Sequence, residues 1–128
     1  MPVYHTVTYN EELHIIETVS QGALSLAEAR EIISEITQLS KAKDCYRCLS
    51  DYRQSTLAMS SFEIHDIPRI VADKVTELGL APSMVKRAVV VAQDLEDFRF
   101  YETVSYNRNQ SVKLFLNIDE ARQWLVEK

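Results

Sequence analysis

Few residues in this sequence have the type and spacing to do chemistry, and each has a plainer alternative role. Cys45-x-x-Cys48 has the spacing of a thiol redox pair or of half a zinc site. A redox pair sits at a helix N-terminus, which lowers the attacking thiol's pKa. Here Cys45-Tyr46-Arg47-Cys48-Leu49-Ser50 reads as a strand, whose alternation sends the two thiols to opposite faces. No second pair completes a zinc site, so ordinary structural cysteines are expected. His5, His14 and His65 are scattered, with His5 and His14 in strand-like runs. They form no His-x-His or His-x-x-x-His pair, and folding alone would have to assemble any metal or Cys/His site. Glu28, Glu31 and Glu35 share a helix flank at i, i+3 and i+7. They could hold a metal, but a solvated helix face is the expected role. No catalytic, metal or cofactor set is readable.

Asp51, Tyr52 and Arg53 are placed differently, at the C-terminal end of a strand, where ligands collect in open α/β sheets. An arginine beside a tyrosine there can grip a carboxylate or phosphate. With Arg108 they would line a pocket between a polar loop over 51–61 and a helix over 95–108, fit for a small-ligand or lipid-like carrier or for an enzyme. The plainer alternative is a solvated loop with Arg53 paired to an acid. Ser60 and Ser61 begin the next helix, where a phosphate is electrostatically favoured; the simpler role is a helix cap.

The chain of 128 residues carries 14 Lys+Arg against 19 Asp+Glu, a net charge of −5. That length suits one domain with its own core. The charge is mild and spread, with no basic stripe to release counterions from phosphates, so nucleic-acid binding is not expected. No apolar run approaches the ~20 residues of a membrane span. Met1-Pro2-Val3-Tyr4-His5-Thr6 lacks the regions of a signal peptide, so a cytoplasmic location with reduced thiols is expected. The two glycines, Gly22 and Gly79, exclude a dinucleotide fingerprint, a P-loop and a nucleophile elbow, each of which needs closely spaced glycines.

The elements that would position these residues follow from periodicity. Residues 3–9 and 13–19 alternate as a hairpin around Asn10-Glu11-Glu12. Ser25-Leu26-Ala27-Glu28 is a capping box, and Leu26, Ala29, Ile32, Ile33, Ile36 and Leu39 follow as a helical stripe. Ser60-Ser61-Phe62-Glu63 is a second box. Pro68 would cost an unbroken helix about 3 kcal/mol, so two pieces are expected, the second capped by Asp66, with Gly79 closing it. Lys86 to Ala92 reads as a strand covered on both faces. Asp94 begins a helix over 95–108, because a parallel crossover is needed before the strand at 112–117. Asp119 caps a final helix. The order β-β-α-β-α-β-α-β-α gives an α/β fold with a five-stranded mixed sheet: an antiparallel N-terminal hairpin, then parallel β-α units.

Leu95, Phe98, Phe100, Tyr101, Val104 and Tyr106 span an arc of about 240° on the 95–108 helix, more than the ~100° that one core requires. Phe100, Tyr101 and Tyr106 are therefore candidates for contact with a protein partner or a second copy, in a homodimer for example, with packing inside the chain as the alternative.

The element order, together with Val112-Lys113-Leu114-Phe115-Leu116-Asn117-Ile118-Asp119-Glu120-Ala121-Arg122-Gln123-Trp124-Leu125, resembles the bacterial SpoIIAA-like group of the STAS (sulfate transporter and anti-sigma-factor antagonist) fold. Its chains often end in a phenylalanine-bearing strand, an acidic turn and a helix reading Glu-Ala-x-x-Trp-Leu. The resemblance implies a non-enzymatic regulatory module that binds a protein partner. Regulatory members carry a phosphorylated Asp-Ser-Ser-Gly at the start of the helix after the third strand. The equivalent Asp51-Tyr52-Arg53-Gln54-Ser55-Thr56-Leu57-Ala58-Met59-Ser60-Ser61 lacks the glycine and separates Asp51 from the serines at the helix start, Ser60 and Ser61, which are the candidates for modification.

Overall fold

The structure, a computed structural model, describes residues 4–93, 96–108 and 110–127. Strands β1 (Tyr4–Asn10) and β2 (Ile15–Leu24) form the antiparallel hairpin. Its turn runs through His14, whose φ is 56°. His14 is thus a turn residue and not a strand residue: its Nδ1 meets the Tyr9 hydroxyl and its Nε2 faces the Asp44 carbonyl at 3.3 Å. Helix α1 (Leu26–Lys43), strand β3 (Arg47–Leu57), helix α2 (Ser61–Glu77), strand β4 (Lys86–Val90), helix α3 (Glu96–Asn107), strand β5 (Ser111–Phe115) and helix α4 (Ile118–Val126) complete the chain.

The sheet order is β1-β2-β3-β4-β5, parallel from β2 onward. The aromatic stretch before the last strand coils, as the need for a crossover predicts. Helices α1, α2 and α3 pack on one face, termed the inner face, through Ala29, Ile67, Val71, Val75 and Tyr101 against Ile16 and Cys48. Helix α4 covers the outer face, its Ala121 and Leu125 set against Ile15, Leu49, Ala88 and Val90.

Four local expectations are corrected. Asp51 to Leu57 continues strand β3 and is not a polar loop; β2 pairs with it as far as Leu24 opposite Leu57. Its polar composition misleads because Arg53, Gln54 and Thr56 are exposed. Helix α2 passes unbroken through Pro68. Ile64, Ile67, Ile70 and Val71 are buried around that position, and burying an aliphatic side chain returns about 1.5–3 kcal/mol, which offsets one lost hydrogen bond. Cys45 precedes β3, so strand alternation does not apply to it, and both cysteines lie reduced in the same core cluster. Asn117, and not Asp119, caps α4, its Oδ1 accepting from the Asp119 and Glu120 amides at 2.9 and 3.0 Å. The expected Asp94 cap lies outside the described residues.

The Ser60 box is present in full. The Ser60 hydroxyl accepts from the Glu63 amide at 3.1 Å, and the Glu63 carboxylate accepts from the Ser60 amide at 3.0 Å. Ser60→Ala should lower the unfolding free energy by about 1 kcal/mol. Ser61→Ala, which removes no cap, should change it by under about 0.5 kcal/mol. Urea denaturation of the two variants checks the difference.

Candidate functional site

Alternation along β4 sends Lys86, Ala88 and Val90 outward and Arg87 and Val89 inward. Lys86 reaches out of the layer to the Trp124 carbonyl and ring. Arg87 has no such exit and lies half-buried beneath α3. Its Nη1 donates to the Tyr101 hydroxyl at 2.6 Å, with the guanidinium carbon 5.7 Å from the ring centre. Its Nη2 donates to Oε1 of Gln110 at 2.5 Å. Gln110 is itself buried and donates to the Pro68 carbonyl at 2.6 Å. Every one of these partners is neutral. Among the described residues no carboxylate pairs with Arg87, and three of the five N–H donors of a guanidinium meet no protein acceptor.

Beside Arg87 lies a cavity of about 90 Å³ between the inner face and the three crossover helices. Ile32, Ile36, Ile67, Val71, Val75 and Val89 are among its walls, with Tyr52 and Phe98 also lining it. Burial pushes the Tyr52 phenol up to about 12 and the Cys48 thiol, on the same wall, up to about 12. Both stay protonated at neutral pH, so Cys48 is no nucleophile. A second crevice, of about 220 Å³, lies at the C-terminal ends of β3 and β4. It has Arg53, Gln54, Ser55 and Gln93 on its rim and shares Tyr52 and Phe98, whose ring centres are 6.3 Å apart, with the first.

The residues grouped from sequence are distributed over both faces. Tyr52 faces inward, whereas Asp51 and Arg53 face outward and pair with each other at 2.7 and 2.9 Å. That pair joins a charged group with Glu17 and Arg122, which meet at 3.0 and 3.3 Å. Arg108 follows the C-terminal end of α3, opposite the helix end that approaches Tyr52, so the fold does not bring it to that site. Of the aromatic candidates, Tyr101 turns inward to Arg87, Phe100 is half-buried and Tyr106 is 77% exposed. Arg87 and Gln110 were not among the sequence candidates. The available signal was a cation inside a strand that otherwise reads as covered on both faces.

The class defined by this architecture is the SpoIIAA-like α/β fold, with its N-terminal hairpin and sequential parallel strands. Among solved structures the chain is similar to an uncharacterized protein of the DUF3478 family with a SpoIIAA-like fold, from Shewanella loihica PV-4. The TM-score is 0.57 at 15% identity, over 96% of this chain and 93% of that one. No family model matches the sequence, and no curated protein matches it. No helix among the described residues is long and apolar enough to cross a membrane.

The outer charged group sets an acid limit on the fold. Hydrogen bonds from Arg53 hold the Asp51 carboxyl below its ordinary value against an opposing push from burial. At Glu17 burial pushes the carboxyl up, but the bonds from Arg122 and Asn10 together outweigh it, and the net direction is down. A carboxyl whose folded pKa is depressed stabilises the fold above its unfolded pKa and loses that contribution as pH falls through the folded value. Stability should therefore fall below about pH 4.5, the ordinary value for Glu17. Glu17→Gln should cost about 1 kcal/mol at pH 7 and flatten the acid fall, as measured by denaturant midpoints against pH.

Proposed function

We propose that this SpoIIAA-like domain is a non-enzymatic binding module whose inner cavity takes a small aliphatic acid, with the carboxylate on Arg87. The observation that carries this reading is a guanidinium at an apolar cavity with neutral partners only. A cation withdrawn from water without a counter-charge is costly, and a guanidinium fork matches a carboxylate with two parallel hydrogen bonds. The cavity of about 90 Å³ is roughly three-fifths of the ~150 Å³ that admits benzene. It suits an aliphatic group of roughly three to five carbons, and so acids of about four to six.

The protein-binding alternative loses part of its surface, because Tyr101 serves Arg87 and Phe100 is half-buried. Tyr106 alone of its three aromatic candidates is fully presented to solvent.

Thermal unfolding in the presence of butyrate through hexanoate, each beside its matched alcohol, tests the reading. At ten times Kd a ligand contributes about 1.4 kcal/mol, or a rise of about 5 °C. The acids should raise the midpoint and the alcohols should not, and Arg87→Met should abolish the rise. An equal response in Arg87→Met, or none to any acid, would overturn it.

A further inference from the structure

The remaining feature that chemistry can use lies on the other side of α1. Along β1, His5, Val7 and Tyr9 share the inner face; Val7 and Tyr9 pack into the core beside α1, and His5 occupies the third position of that apolar row. Its side chain is only 16% exposed, and its Nε2 meets Oε2 of Glu35. Glu31 stands one turn earlier on the same helix flank. One donor atom from each of His5, Glu31 and Glu35 lies within 4.8 Å of the other two.

Two observations separate this group from an ordinary acidic patch. One of its donors is an imidazole from a different element, partly buried and in contact with the Glu35 carboxylate. Next, the helix leaves its own charge unbalanced there. Positions i±3 and i±4 from Glu31 hold Glu28, Ala27, Ser34 and Glu35, and those from Glu35 hold Ile32, Glu31, Gln38 and Leu39. None is basic, and like charges one turn apart destabilise a helix. Glu31 has no ion-pair or hydrogen-bond partner among the described residues. A single cation would relieve both carboxylates and use the imidazole nitrogen.

We propose that His5, Glu31 and Glu35 form a site for a zinc-class divalent ion that clips the edge strand β1 to α1. Nitrogen and carboxylate donors bind zinc at about 2.0–2.2 Å, so donors on one ion stand about 3–4 Å apart. Small side-chain rotations reach that spacing from the observed cluster. The ion takes the place of the direct contact between His5 and Glu35, with the remaining coordination left to water. Three donors, one of them nitrogen, are too few for calcium, which takes six to eight oxygens.

Calorimetric titration of the full chain with Zn²⁺, and with Co²⁺ followed by its visible spectrum, tests the site. One equivalent should bind, the unfolding midpoint should rise, and a large excess of Ca²⁺ or Mg²⁺ should not displace it. Glu31→Gln keeps the His5–Glu35 contact, and with it the fold, and should weaken binding at least tenfold; His5→Gln should do the same. Affinity in both variants equal to that of the unmodified protein, displacement by Ca²⁺, a sulfur-to-cobalt charge-transfer band marking Cys45 or Cys48 as the ligand, or no saturable binding would each overturn it.

Discussion

Because β2 to β5 run parallel and follow one another in chain order, each right-handed crossover lands its helix on the same side of the sheet. Three helices therefore share the inner face, and one short helix, α4, serves the other. The inner layer holds much of the core and the cavity. The outer face beyond α4 stays wet enough for the group Glu17, Asp51, Arg53 and Arg122. A residue's chemistry in this protein depends first on which of these two faces its strand position selects.

Arg87 is the residue for which that selection is least comfortable. One position away, Lys86 leaves the layer and caps the end of α4, while Arg87 turns under α3 and recruits Tyr101 and Gln110. Gln110 in turn ties β5's approach to the carbonyl of Pro68 on α2. Arg87 thus links β4 to α3 directly and to α2 through Gln110, and among the described residues no carboxylate balances its charge. A purely structural role would be met as well by an apolar side chain. The proposed anionic ligand would account for the charge itself.

The architecture was readable because it rests on long periodic stretches. The α1 stripe, the capping box at Ser60 and the alternation of β5 each signal one element, and the crossover requirement resolved the 96–107 helix against its strand-like aromatic alternation. What misled was local. A half-exposed strand such as Asp51 to Leu57 has the composition of a loop, and Pro68 is tolerated because buried aliphatic residues on both sides outweigh it. The sites were less legible still. Asp51, Tyr52 and Arg53 are adjacent in sequence yet fall on opposite faces, while Glu17 meets Arg122 and Arg87 meets Gln110 only through the fold. Grouping by adjacency favours neighbours along the chain, whereas a sheet groups residues two apart and across strands.

A crystal structure of the protein grown with a five-carbon branched acid addresses the account most directly. It should show the carboxylate on the Arg87 guanidinium, with the aliphatic end among Ile36, Val71 and Val89 and the Tyr101 and Gln110 contacts kept. An empty cavity under saturating acid, or the acid bound elsewhere with Arg87 unchanged, would contradict it.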